Sequence, residues 1–249
     1  MLPYTLPDGD RFHVGTFVKT TAPQVIEILA AAGLDFAVLD AEHAPWDRGT
    51  LDTALLAGRA AGLPLFVRVL DQQPGTLLSA LDMGACGLLV PHVDNAEQAR
   101  VVVAHARYVG GSRGYSSSPR CAGYGTLGMP EALRRGDQAL LICQIESLQA
   151  VDQAAAIAAI PGVAGLFIGR ADLALSMGLD TPQHPAVDAA TAQVMQAARS
   201  AGKVIGVAVG SSSERDKYVA QGARWVVQSS DQGLLRQAAL AMTAYKRSA

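Results

Sequence analysis

Residues 139–172 read ALLICQIESLQAVDQAAAIAAIPGVAGLFIGRAD. The two flanks, ALLICQI at 139–145 and VAGLFI at 163–168, are near-continuous apolar runs, and the stretch 148–159 between them carries a helical pattern. A strand that is apolar along its whole length is covered on both faces, as parallel strands between helices are. The unit is strand, helix, strand. Each strand runs into polar residues, Gln144-Ile145-Glu146 after the first and Gly169-Arg170-Ala171-Asp172 after the second.

The same alternation extends in both directions. Further strands are expected at 13–18, 35–40, 64–69, 87–91, 204–209 and 224–228, with helical patterns near 22–32, 48–61, 74–84, 95–107, 185–201, 212–221 and 231–246. Many helices end in a glycine before the next strand, as in AAAGLDF, RAAGLPLF, DMGACGLL, RSAGKVIG and AQGARWVV. Such a glycine is the expected left-handed helix cap. Eight strands alternating with eight helices in 249 residues exceed a doubly wound open sheet and fit a closed (β/α)8 TIM barrel, which typically needs about 250 residues. No composition break or Gly/Ser linker divides the chain, so residues 1–249 are expected to form one barrel domain. The longest connections, 109–130 and 169–184, are of a length that in compact domains is usually functional.

Composition narrows the function classes. Twenty basic against 22 acidic residues give a net charge of −2, with no electrostatic footprint for nucleic acid or an anionic membrane. A 50% hydrophobic content with low net charge excludes disorder. Cys86, Cys121 and Cys143 are odd in number and form no CxxC pair, and are read as buried reduced thiols. The opening MLPYTLPDGDRFHVG lacks an apolar h-region, and no run of the chain is long and apolar enough for a membrane span. A soluble, cytoplasmic protein is expected.

Barrel active sites gather at the carboxyl ends of the strands. There the second strand runs into Asp40-Ala41-Glu42-His43-Ala44-Pro45, the third carries Arg68, and the fourth ends in Pro91-His92. Packing does not call for carboxylates at the ends of apolar strands. Glu146 and Asp172, on neighbouring strands, could bind a hard divalent cation with open positions for substrate, or could instead cap the helices that follow them. His43, between two acids, is a candidate base. Arg68 could be a structural ion pair or could hold a carboxylate bidentately.

LDAEHAPWD, VRV, LLVPHV, RGYSSS, QIES and FIGRADLALSMG, in this order, resemble the signature segments of the HpcH/HpaI aldolase/citrate lyase family of metal-dependent class II pyruvate aldolases. The resemblance runs from about residue 12 to 243. It implies a (β/α)8 barrel whose last helix is exchanged between subunits, in a homo-hexamer built as a trimer of dimers. It also implies Glu146 and Asp172 as ligands of a divalent metal (Mg2+, Mn2+ or Co2+), with Gln144 and the backbone around Ala171 contacting the bound 2-oxo acid. Arg68 would stabilise the enolate oxygen and His43 would be the base. Asp82 would raise that histidine's basicity from the neighbouring subunit, and Asp40 and Glu42 would orient His43. The implied reaction is reversible cleavage of a 4-hydroxy-2-oxo acid to pyruvate and an aldehyde through a metal-stabilised enolate, in aromatic or sugar-acid catabolism.

Three departures stand out. Arg170 replaces a proline common in the family, Lys19 and Thr20 follow the first strand where relatives carry apolar or small residues, and the 113–128 loop resembles the sugar-acid branch only loosely. In that loop Arg113, Ser116 and Arg120 could hold a distal carboxylate or simply be solvated. Competing readings are an acyl-CoA lyase of the malyl or citramalyl type, a non-catalytic 2-oxo-acid binding protein, and a Schiff-base aldolase. Of the four lysines, Lys19, Lys203, Lys217 and Lys246, Lys19 alone lies at a strand's carboxyl end, so imine chemistry would rest on it.

Overall fold

The computed structural model describes residues 4–244. Each of the eight apolar runs forms a strand. These are β1 His13–Val18, β2 Phe36–Asp40, β3 Leu65–Arg68, β4 Gly87–Val90, β5 Leu140–Ile145, β6 Val163–Ile168, β7 Val204–Val209 and β8 Trp225–Ser230. All pair in parallel with their sequence neighbours, and β8 closes on β1, giving the closed barrel of the (β/α)8 fold. The outer ring is built from α1 Gln24–Ala31, α2 Arg48–Ala61, α3 Pro74–Asp82, α4 Ala96–Ala106, α6 Leu148–Ala158, α8 Pro185–Ser200, α9 Ser212–Ala220 and α10 Asp231–Met242. The glycines expected to stop helices, Gly33, Gly62, Gly84, Gly202 and Gly222, all take positive φ.

The main core lies between sheet and helices. A second, aromatic core fills the barrel itself, where Phe36 stacks on Trp225 at 4.3 Å between ring centroids and Phe66 and Phe167 meet the indole edge-on. That interior leaves no room for side chains from some inward positions. A Cβ on Gly15 would fall 2.5 Å from the Phe36 ring, so glycine is required there by space. Tyr4 closes the amino-terminal end of the barrel: its hydroxyl lies 2.7 Å from His13 Nδ1 and accepts from Trp225 Nε1 at 3.1 Å.

Two connections differ from the expectation of plain loops. The segment after α4 carries a short 3-10 turn, Arg120–Gly125, and a helix, α5 Met129–Gly136. The segment after β6 opens at once into α7 Arg170–Ser176. At eight and seven residues, both helices are short, and each begins inside a stretch that reads as a connection. Because 109–128 follows a helix, it lies on the amino-terminal side of the barrel, away from the strand ends of the same chain. There Arg113 is buried against Asp82 at 2.7 Å and Arg120 against Asp52 at 2.9 Å, while Ser116 bonds Ser118 at the surface. So within one chain these two arginines are structural ion pairs.

The last helix, α10, buries none of its side chains, and Leu234, Leu235, Leu240 and Met242 are exposed. Residues 245–246 of the helix expected there lie outside the described residues. Among the described residues no helix is long and apolar enough to cross a membrane.

Candidate active site

Strand register assembles the site. β2 and β3 align Asp40 with Arg68, and β5 and β6 align Ile145 with Ile168, which sets Glu146 beside Gly169. Arg68 donates Nε and Nη2 to the two oxygens of Asp40 at 2.9 and 2.8 Å, and its Nη1 stands 3.2 Å from Glu42 Oε2. Lys19 Nζ completes the pairing of Asp40 at 2.7 Å. Burial pushes the Asp40 carboxyl up, but the Arg68 guanidinium and the Lys19 ammonium outweigh it and hold the group below the usual carboxylate range. With Arg68 gripped on one edge and stacked 4.4 Å over the Phe17 ring, its orientation is fixed before any substrate arrives.

His43 follows three residues past β2, half-exposed, with Nε2 3.6 Å from Glu42 Oε2. Its backbone N–H donates to Asp40 Oδ1 at 3.2 Å. Asp40 therefore meets the His43 main chain, while the imidazole faces Glu42.

Glu146 is almost fully buried at the end of β5. Its Oε1 accepts from the His92 backbone N–H at 2.8 Å and lies 3.1 Å from His92 Nδ1, and its Oε2 accepts from Gln144 Nε2. Burial pushes the Glu146 carboxyl up; the Gln144 and His92 hydrogen bonds oppose this, and the negative charge of Glu42 adds to it. Glu146 does not cap α6, because Ser147 does so through Ala150 N. Asp172 likewise leaves the cap position of α7 to Gly169 and sits in its first turn. It lines, with Lys19, His43, Arg68, Gln144 and Ala171, a cavity of about 340 Å³ at the barrel mouth. Asp82 is elsewhere: at the end of α3 its partners are Arg113 and Cys121.

The cluster fits a cation. Gln144 Oε1 is buried without a hydrogen-bond partner, and so is Glu42 Oε2, which has ion-pair contacts only. Among the described residues, Glu42, His92 and Glu146 bring one ligand atom each within 4.8 Å of one another, and Asp172 is not one of the three. Carboxylate and amide oxygens around a buried pocket are the donors a hard divalent ion takes. His92 was visible in the sequence as a strand-end histidine after Pro91, but nothing in the sequence showed that it would point back between two acids. Arg170 also lines this cavity and is tied to the neighbouring helices. Its guanidinium meets Glu214 at 2.9 Å, lies 3.6 Å from Asp188, and covers the Tyr218 ring at 4.8 Å.

The model of the HpcH/HpaI aldolase/citrate lyase family matches residues 13–238. The chain belongs to that family. It is 37% identical over 231 residues to a 5-keto-4-deoxy-D-glucarate aldolase of Klebsiella pneumoniae, covering 92% of this chain and 90% of the relative. An HpcH/HpaI aldolase/citrate lyase family protein from Burkholderia cenocepacia superposes with a TM-score of 0.92 at 33% identity over 96% of both chains. An HpcH/HpaI aldolase from Desulfitobacterium hafniense gives 0.90 at 26% identity, covering 96% of this chain and 93% of that one. This family member is a class II aldolase, a carbon–carbon lyase, and its family is metal-dependent.

Proposed function

We propose that this aldolase reversibly cleaves a 4-hydroxy-2-oxo acid of the 2-keto-3-deoxy sugar-acid class, such as 5-keto-4-deoxy-D-glucarate, to pyruvate and an aldehyde. The observation that carries the reading is Arg68, locked edge-on by Asp40 and Glu42 beside Glu146 and Gln144 at a cavity also lined by His43 and Asp172. Its size suits a six-carbon acid, and its sugar-acid assignment follows the glucarate aldolase relatives.

Glu146 and Asp172 would hold the divalent ion. When bound, the ion supplies Lewis acidity toward the 2-oxo group. The chain's own residues do the rest. Gln144 and the Ala171 backbone orient the 2-oxo acid. His43 takes the proton from the C4 hydroxyl, the C3–C4 bond breaks, and its electrons collect as a pyruvate enolate. Arg68 stabilises the developing oxyanion, and needs no reorganisation to do so because Asp40 already holds it. Asp40 fixes the main chain of His43 and Glu42 faces its ring. The exposed apolar face of α10 supports the exchange of that helix between subunits of a homo-oligomer, a hexamer on the family pattern, in which Asp82 would reach a neighbour's site.

Deuterium exchange at pyruvate C3, followed by NMR in D2O, tests the reading without knowledge of the aldehyde. Exchange with Mg2+, Mn2+ or Co2+ that stops on adding EDTA is the expected result. No exchange in either condition would overturn it, and exchange that survives EDTA would move the chemistry to Lys19.

A further inference from the structure

Of the three consecutive polar residues Ser229, Ser230 and Asp231 that lead from β8 into α10, two are committed to structure. Ser230 Oγ caps α10 by accepting from the Gly233 N–H at 3.1 Å, and Asp231 accepts from the Lys19 and Thr20 N–H groups at 2.9 and 3.0 Å. The Ser229 hydroxyl has no hydrogen-bond partner among the described residues. Its backbone is nevertheless closely specified. Ser229 holds φ +61°, in the left-handed region that side chains with a Cβ rarely occupy. Val227 pairs with Gly15 and Ser230 with Phe17, so β8 carries one residue more than β1 at this point. A bulge of that kind beside an active site re-aims a side chain. Gly233 leaves the hydroxyl its place, since a Cβ there would fall 2.6 Å from Ser229 Oγ.

Ser229 is thereby set in the wall between two cavities. One is the barrel-mouth cavity of His43 and Arg68; the other, of about 230 Å³, lies beside the ends of β7 and β8, where Gln183 and Glu214 line it. Ser229 and Arg170 line both. Arg170 brings a second unused group to this wall, because it is buried and its Nε has no hydrogen-bond partner. The charge of that guanidinium is already matched by Glu214 at 2.9 Å and Asp188 at 3.6 Å. The wall thus offers hydrogen bonds without a free positive charge. Such a wall suits hydroxyl groups, which accept from Nε and either donate to or accept from Ser229 Oγ.

Resting on the reading that the chain cleaves to and rejoins pyruvate and an aldehyde at this mouth, we infer that the shared wall binds the hydroxylated end of the aldehyde half, with Ser229 as the residue that selects it. A substrate hydroxyl satisfies groups that a deoxy analogue leaves unpaired, and that difference is the source of the selection.

Aldol addition of pyruvate to glyceraldehyde and to propanal, the same carbon chain without the hydroxyls, reads the selection in the full-length protein with Mn2+. The wild type is expected to favour glyceraldehyde in kcat/KM by at least about tenfold. Ser229→Ala, which keeps the Cβ, should reduce that preference at least about fivefold, the worth of one hydrogen bond, chiefly through the KM for glyceraldehyde. Ser229→Gly, free of the left-handed restriction, should lose preference to the same degree, so a poorly folded alanine variant leaves the test intact. Succinic semialdehyde, which carries a carboxylate and no hydroxyl, should lose less than glyceraldehyde in both variants. A preference that is absent in the wild type or unchanged in both variants, or an equal loss with succinic semialdehyde, overturns the inference alone when the wild type exchanges pyruvate C3 protons. A wild type without that exchange overturns the reading proposed above, and the inference with it.

Discussion

Arg68 and Asp40 are register partners on β2 and β3, and the guanidinium closes on both carboxylate oxygens, Nε at 2.9 Å and Nη2 at 2.8 Å, with both side chains buried. One contact thus joins fold to function: the barrel's hydrogen-bond register sets the direction of the cation proposed to face the enolate.

Asp40→Asn should therefore cost both stability and activity. Removing one partner of a buried pair typically costs about 3–5 kcal/mol, and Glu42, still 3.2 Å from Nη1, keeps the loss toward the lower end. Urea unfolding measures it. The sign with pH follows from the folded-state pKa, which is lowered. The pair's contribution is fully present above the ordinary carboxylate range and is lost as pH falls through that lowered value. Asp40→Asn should flatten this part of the acid limb, and an unaltered limb would show that the pair does not supply it.

Arg170→Met should loosen the connection that carries Asp172. Arg170 binds Glu214, the Pro182 carbonyl and, at 3.6 Å, Asp188, tying the start of α7 to α8 and α9. Burial raises the Asp188 and Glu214 carboxyls, yet their hydrogen bonds and cationic neighbours, Arg170 among them, hold both below the usual range. Stability from these groups is likewise lost as pH falls. The variant should unfold about 2–4 kcal/mol more easily at neutral pH, lose part of the dependence between neutral and acid pH, and bind Mn2+ more weakly. Full Mn2+ affinity in a destabilised variant would confine Arg170 to the scaffold.

How much of this was legible in the sequence depended on the range over which each feature is determined. The strands β1, β6 and β7 match their expected limits because an apolar run bounded by turn residues is local information. The short helices α5 and α7 were missed because each begins inside a stretch that reads as a connection. Asp40, Arg68 and Glu146 were legible as site candidates, since polar groups at strand ends have no packing reason to be there. His92 was legible as a strand-end histidine too, but its direction was not, because that comes from a left-handed backbone held by Gln72 and Glu146 from beyond two other strands.

The cysteines should be inert in the native state. Cys86, Cys121 and Cys143 are all buried, and burial pushes the Cys143 thiol up to about 12. The thiolate is the nucleophile, so labelling with an aromatic disulfide at neutral pH should be negligible over minutes and reach three equivalents only in denaturant. Rapid labelling of one thiol under native conditions would contradict the observed burial.

Gly169→Ala should separate the site from the scaffold. A Cβ there would meet Glu146 Cβ and Oε2 at 3.0 Å and Gln144 Nε2 at 3.2 Å. The φ of −87° is open to alanine, so the backbone tolerates the change and the contact falls on the Glu146 and Gln144 side chains. The expected stability loss is within about 1 kcal/mol, with pyruvate exchange down at least about tenfold, since displacements near 1 Å cost rates of about a hundredfold. Equal activity would mean that Glu146 can shift without consequence.

Lys19 decides between the two ways of stabilising a pyruvate carbanion. An imine requires an amine free to attack the carbonyl, and Lys19 Nζ is instead held 2.7 Å from Asp40 Oδ2 in an ion pair. Borohydride with pyruvate should therefore leave the protein mass unchanged. Lys19→Met should slow metal-dependent C3 exchange by about tenfold or less, through the loosened Asp40, whereas Glu146→Gln should abolish it. A borohydride-trapped adduct on Lys19, or exchange that disappears in Lys19→Met and survives in Glu146→Gln, would replace metal–enolate chemistry with imine chemistry in the same barrel mouth.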